Sequence, residues 1–205
     1  MRPAGLRIIG LTGGIACGKS SVARMLEQEG FPVIDADQLS REAVLPGTPG
    51  LARLVDVFGA EICAADGTLD RKKLATIVFS DPERRRQLEQ LLHPEIRRLA
   101  DQSLAAAAAA GSRVVFYMAP LLIEAGAVER VDEIWVVTVS PDVQLRRLMA
   151  RDSISSDEAG RIIASQMPLA EKERYGAAVI NNSGTVAQTR EQVRRIIARE
   201  RGVNR

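Results

Sequence analysis

The residues Gly13-Gly14-Ile15-Ala16-Cys17-Gly18-Lys19-Ser20 run in the order Gly, four residues, Gly-Lys-Ser, the spacing of a loop that wraps a polyphosphate. Gly13, Gly14 and Gly18 permit tight turns and a close approach of backbone N–H groups to an anion. A helix starting near Lys19 aims the positive end of its dipole at the same point. In that chemistry Lys19 reaches the β- and γ-phosphates and the Ser20 hydroxyl ligates a phosphate-bound magnesium ion. Ile15, Ala16, Cys17 and Ser21 contribute as loop backbone. A glycine-rich turn beside a surface lysine is the plainer reading, and the flanks argue against it. Leu6–Leu11 reads as a buried strand, and Val22, Met25 and Leu26 recur at helical spacing. Cys17, inside the loop and close to Lys19, is expected to favour its thiolate and to react readily, with burial as the competing effect.

Two further groups of residues carry charge that a phosphate chemistry needs. Asp35-Ala36-Asp37 follows the short apolar run Phe31-Pro32-Val33-Ile34. In an open parallel sheet ligands lie beyond the carboxyl ends of the strands, which favours a functional Asp35, whereas Asp37 serves equally well as cap of a helix over 38–45. Arg147 and Arg151 sit four apart on a helix opened by Ser140 as cap and Pro141, opposite the apolar face of Leu145, Leu148 and Met149. They fit a phosphate clamp or a solvated basic face, with Asp142 and Asp152 offering partial neutralisation.

The elements that must position these groups alternate between strand and helix. Val114–Met118, Glu133–Val139 and Ala178–Asn181 read as three more strands, and Val186 to about Arg201 as a closing helix. Ser155 with Glu158 forms a capping box for a helix reaching about Gln166. From Pro46 to Ala110 the pattern is mostly helical, broken at Pro46-Gly47, Asp66-Gly67, Asp81-Pro82 and His93-Pro94, and ended by the alanine run before Gly111. Asp56-Val57-Phe58-Gly59 matches a GTPase switch motif but lies on an amphipathic helix face, and no Asn-Lys-x-Asp guanine signature occurs. The expectation is a three-layer α/β phosphate-loop NTPase with a five-stranded parallel sheet. Residues 1–205 form a single kinase-like domain, with 38–110 as a helical substrate-binding insert and 141–175 as a helical lid.

The 205 residues suffice for a full core, and 46% hydrophobic with 26% charged residues is ordinary globular composition. A formal charge of +2 speaks against bulk nucleic-acid binding. Two cysteines, Cys17 and Cys63, make no metal framework and suit a reducing compartment. With no run of eighteen apolar residues, the expectation is a cytoplasmic protein without membrane partners, monomeric or weakly self-associating.

From Ile9 to about Val193 the chain resembles the dephospho-coenzyme A kinases. The resemblance is carried by Gly10–Ile15, Val33–Asp37, Asp66–Arg71, Leu91–Ile96 with His93-Pro94, Pro120–Leu122 with Glu124, and Arg147–Asp152. It implies ATP with magnesium as phosphoryl donor and the 3′-hydroxyl of dephospho-coenzyme A as acceptor. Carried over by position, it makes Asp35 the base, with Lys19, Arg147 and Arg151 as cations over the transferring group. Asp37, Arg41 and His93 become acceptor contacts, and Asn182 and Gly184 belong to the adenine-side loop. The chain departs from the family pattern in Ala16-Cys17, where Gly-Ser is frequent, in Ser21 for threonine, and in Met118, where an aspartate is frequent. Gly176-Ala177 and Asn181 likewise replace a frequent Ala-Asp pair and an aspartate. A kinase for a nucleoside or nucleoside monophosphate is the alternative, and a nucleotide-binding module without turnover a further one.

Overall fold

The computed structural model describes residues 3–79 and 81–201. Five strands, β1 (Arg7–Gly13), β2 (Val33–Asp35), β3 (Val114–Met118), β4 (Glu133–Thr138) and β5 (Ala178–Asn181), form a parallel sheet in the order β2-β3-β1-β4-β5. The central strands are almost wholly apolar because both of their faces are covered. Ile9, Leu11, Phe116, Trp135 and Val137 point to one face, where they pack with Val22, Met25 and Leu26 of α1 (Lys19–Gln28) and with Val193 and Ile197 of α9 (Val186–Arg201). Phe116 meets Trp135 edge-on at 4.9 Å and Phe31 at 5.7 Å, the geometry that aromatic quadrupoles prefer. On the other face Ile8, Val115, Tyr117, Ile134 and Val136 are equally buried. Arg7 closes the start of the sheet by pairing with Glu133 at 2.6 Å and with the buried Glu200 of α9.

Contacts divide the chain into two compact units, Asp35–Ala105 and the chain before and after it. The first contains α2 (Ala36–Glu42), α3 (Pro49–Phe58), α4 (Arg71–Phe79) and most of α5 (Pro82–Ala109). Leu54, Phe58, Ile62 and Leu74 form its core, with Leu88, Leu91, Leu92 and Ile96 packed against them. The turn at Asp66 is held by its carboxylate, which accepts from Thr68 N–H at 3.0 Å. Asp81 accepts from Glu83 and Arg84 N–H and opens α5.

The break expected at His93-Pro94 does not occur. Helix α5 runs through Pro94 for 28 residues, so His93 lies mid-helix with its surface exposed. A proline inside a helix removes one ladder hydrogen bond and crowds the preceding turn. Here Leu91, Leu92, Ile96 and Leu99 on both sides of it pack on the same core, and that burial outweighs the local cost.

In the second unit α6 (Pro141–Asp152), α7 (Ser156–Ala164) and α8 (Leu169–Glu173) follow β4. Ser155 Oγ caps α7 by accepting from Glu158 N–H at 3.2 Å, one half of the expected capping box. Ser140 holds the cap position of α6 without a side-chain cap; its N–H donates instead to Ser183 Oγ at 2.8 Å. Helix α8 was not expected, since five residues show no periodicity. At the sheet edge Gln192 Oε1 accepts from Asn181 N–H at 3.0 Å while its Nε2 donates to Asn181 O at 2.8 Å. Among the described residues no helix is long and apolar enough to cross a membrane.

Replacing Pro94 by alanine restores the missing N–H, so Pro94→Ala is expected to stabilise the protein by about 1–3 kcal/mol. Thermal or urea unfolding measures it, and an unchanged or lowered midpoint would show that the proline is accommodated without cost.

Candidate nucleotide site

Strand β1 ends at Gly13, paired with Val137 of β4, and α1 begins at Lys19, so the five residues between form a loop fixed at both ends. Two of its residues have left-handed backbones, Ala16 at φ 59 and Gly18 at φ 84. At Gly18 a Cβ would lie 2.2 Å from Asn182 Nδ2, so both the conformation and the space require glycine. The Lys19 ammonium folds back to donate to Gly13 O at 2.9 Å and Gly14 O at 2.8 Å, which holds the charge at the centre of the loop. Ile15 N–H donates to Gln166 Oε1 at 2.8 Å, and Ile15 O accepts from Gln144 Nε2 at 2.9 Å. Asn182 Nδ2 donates to Cys17 O at 2.8 Å, and its Oδ1 accepts from Thr189 Oγ1.

Ser20 and Ser21 occupy the first turn of α1. Among the described residues the Ser20 hydroxyl makes no hydrogen bond, and Ser20 is exposed. No group of three or more His, Cys, Asp or Glu side chains is placed to hold a metal among those residues. A lone hydroxyl beside a phosphate loop suits magnesium, which keeps most of its waters and takes its remaining oxygens from phosphates. Met118 is a core residue on the face that packs against α1, so no carboxylate stands at that position.

The two arginines have different surroundings. Arg147 brings its guanidinium to the loop, 3.9 Å from where a Cβ on Gly18 would stand. Arg151 forks onto its neighbour Asp152 at 2.7 and 2.8 Å, which lowers the Asp152 pKa and raises that of Arg151. Asn182, 8% exposed, is turned onto the loop backbone, whereas Gly184 lines a shallow cavity of about 620 Å³ with Asn181, Ser183, Gln188 and Arg195.

In the Asp35–Ala105 unit the cap of α2 is Asp35, not Asp37. Asp35 Oδ1 accepts from Asp37 N–H at 2.9 Å and Gln38 N–H at 3.4 Å, because the helix starts two residues earlier than its apolar pattern suggests. Its other carboxylate oxygen makes no hydrogen bond among the described residues. Asp37 and Arg41 are exposed on the first and last turns of α2, and His93 is exposed on α5.

Cys17 contradicts the expectation of a reactive thiolate. Its side chain is fully buried among Ile9, Leu11, Val22 and Trp135, and this desolvation pushes the thiol pKa up despite Lys19 and the loop hydrogen bond to Gly14. Burial wins because the loop turns this side chain inward while its backbone faces outward. Gln144, Gln166 and the fully buried Lys172, which pairs with Glu124 at 2.7 Å and donates to Pro120 O at 2.9 Å, were not singled out from the sequence. Their partners lie 48 to 151 residues away, Lys172 itself sits on a helix too short to show a pattern, and no local spacing marks them. Cys17 should therefore alkylate more slowly than the partly exposed Cys63, and both should label alike in urea. Fast labelling of Cys17 that ATP suppresses would show an open loop instead.

The family model described as dephospho-CoA kinase matches residues 7–188. A dephospho-CoA kinase of Geobacter metallireducens is 55% identical over 186 residues, covering 91% of this chain and 92% of its own. A solved structure from Thermus thermophilus superposes with a TM-score of 0.84 at 36% identity, covering 95% of this chain and 97% of its own. The dephospho-CoA kinase from Campylobacter jejuni gives 0.73 at 27% identity, covering 97% and 98%. With its phosphate loop at the end of the central strand and the family model matched over most of its length, this chain belongs to the dephospho-CoA kinase family.

Proposed function

We propose that this protein transfers the γ-phosphoryl group of ATP to the 3′-hydroxyl of dephospho-coenzyme A, giving coenzyme A and ADP. The observation that carries the reading is the intact phosphate loop, with Lys19 drawn into its centre, in a chain matched to the family from residue 7 to 188. The loop N–H groups and the dipole of α1 bind the donor phosphates, with Ala16, Cys17 and Ser21 acting through their backbones, while Ile15, whose own N–H and C=O are held by Gln166 and Gln144, shapes the loop beside them. Ser20 is assigned to the magnesium ion, which when bound supplies positive charge to the phosphates. Lys19 and Arg147 offset the charge that develops on the transferring group, and Gly184 lies on the adenine side. Arg151, committed to Asp152, acts from the same helix at longer range.

Asp35 is assigned as the acceptor-side base. Its split carboxylate suits the role: one oxygen is fixed by two backbone N–H groups, and the other is left to take a proton. The acceptor oxygen loses its proton to Asp35 as it bonds to the γ-phosphorus, and the bond to the β–γ bridging oxygen breaks to release ADP. Asp37, Arg41 and His93 are assigned to the acceptor. The stretch 38–110 holds it, and 141–175 closes over the donor. ATP and dephospho-coenzyme A are the partners in this reading, in a reducing, cytoplasmic setting consistent with two free cysteines.

The purified protein with ATP and magnesium should phosphorylate dephospho-coenzyme A, and transfer to nucleosides or nucleoside monophosphates instead would replace this substrate. Lys19→Ala should lower kcat by about 10²–10³-fold. Asp35→Asn should do so by about 10²–10⁴-fold with ATP binding kept. Arg147→Ala should cost more turnover than Arg151→Ala, and the reverse order would move the transition-state cation to Arg151. Steady-state kinetics for each variant decide these points.

A further inference from the structure

Ala16 is the one non-glycine residue of the phosphate loop held at positive φ, a conformation in which its Cβ crowds its own backbone. Such a residue persists where its surroundings over-determine it. Three side chains do so here. On the upstream side, Gln144 and Gln166 take both backbone groups of Ile15, at 2.9 and 2.8 Å. On the downstream side, Asn182 holds Cys17 O at 2.8 Å and is itself fixed by Thr189 Oγ1. The glycine at position 14 makes room for this arrangement, since a Cβ there would lie 2.7 Å from Gln144 Nε2.

Each of the three is anchored away from the loop. Gln144 lies on α6 and is 5% exposed. Gln166 follows α7, and the next residue, Met167, donates its N–H to Glu124 Oε1 at 3.3 Å. Glu124 in turn pairs with the buried Lys172 of α8, whose ammonium also donates to Pro120 O. The segment from Gln166 to Lys172 is thus pinned to the connection after β3 at two points, and from there it reaches the loop through one amide oxygen.

We propose that Gln144, Gln166 and Asn182 are positioning residues that hold Ala16 left-handed and so fix the array of loop N–H groups for phosphoryl transfer, with Gln166 tying that geometry to the α7–α8 segment. The inference rests on the reading of the loop as the donor-phosphate site. None of the three side chains needs to touch nucleotide. Their effect is on the loop backbone, so a residue that adopts positive φ without penalty should make the chain less dependent on them.

The test is a double-mutant cycle between Gln166→Leu and Ala16→Gly, read in kcat/KM for ATP and in thermal midpoint, with Lys19→Ala as reference. Gln166→Leu should lower kcat/KM by about ten- to a hundredfold. The same substitution should cost clearly less in the Ala16→Gly background, because glycine takes the left-handed conformation freely. Gln166→Ala, which removes the acceptor for Ile15 N–H without adding bulk or charge, carries the same expectation in both backgrounds and serves if the leucine variant does not fold. Equal losses in both backgrounds, or parent kinetics in Gln166→Leu beside an inactive Lys19→Ala, would overturn the proposal. If Lys19→Ala also transfers normally, the donor-site reading fails and the proposal with it.

Discussion

A loop that binds phosphate through its backbone must turn several N–H groups toward one point, and no L-residue sequence does this at low energy on its own. The rest of this unit answers that constraint. The strand before the loop is locked between two others in a buried parallel sheet, and the helix after it is packed by Val22, Met25 and Leu26 against the same core. Burying Cys17 beneath the loop fastens its middle from below, while Gln144, Gln166 and Asn182 bind it from around the rim.

Much of this was legible in the sequence. The five strands and the phosphate loop follow from apolar runs and glycine spacing, because a buried parallel strand must be apolar on both faces. Val114–Met118 and Ala178–Asn181 are strands over the residues their composition suggests. What was not legible depends on partners distant in sequence. Pro94 reads as a helix end until the leucines on either side are seen to share one core with Leu54 and Phe58. Asp35 rather than Asp37 caps α2 because a cap is set by where the backbone leaves the strand, not by where the apolar pattern begins.

The candidate site divides along the same line. Lys19, Ser20 and the loop glycines were identifiable because the motif carries its own chemistry. Arg147 and Arg151 looked equivalent at a spacing of four, and only the structure separates the one beside Gly18 from the one held by Asp152. At Cys17 the local electrostatics point toward a thiolate, whereas the tertiary fold removes the water that a thiolate needs. Met118 shows the converse: its side chain belongs to the same buried core as Cys17.

Strand β5 lies at the open side of the sheet, with Val179 exposed on it, and an unpaired strand edge is a template on which another chain can crystallise its own backbone. Gln192 occupies that template at Asn181, donating and accepting as an incoming strand would. A single side-chain amide from α9 thus impersonates one peptide of a sixth strand. A chain approaching this edge finds the N–H and C=O of Asn181 already paired, so the ladder it could build there is shorter by one position.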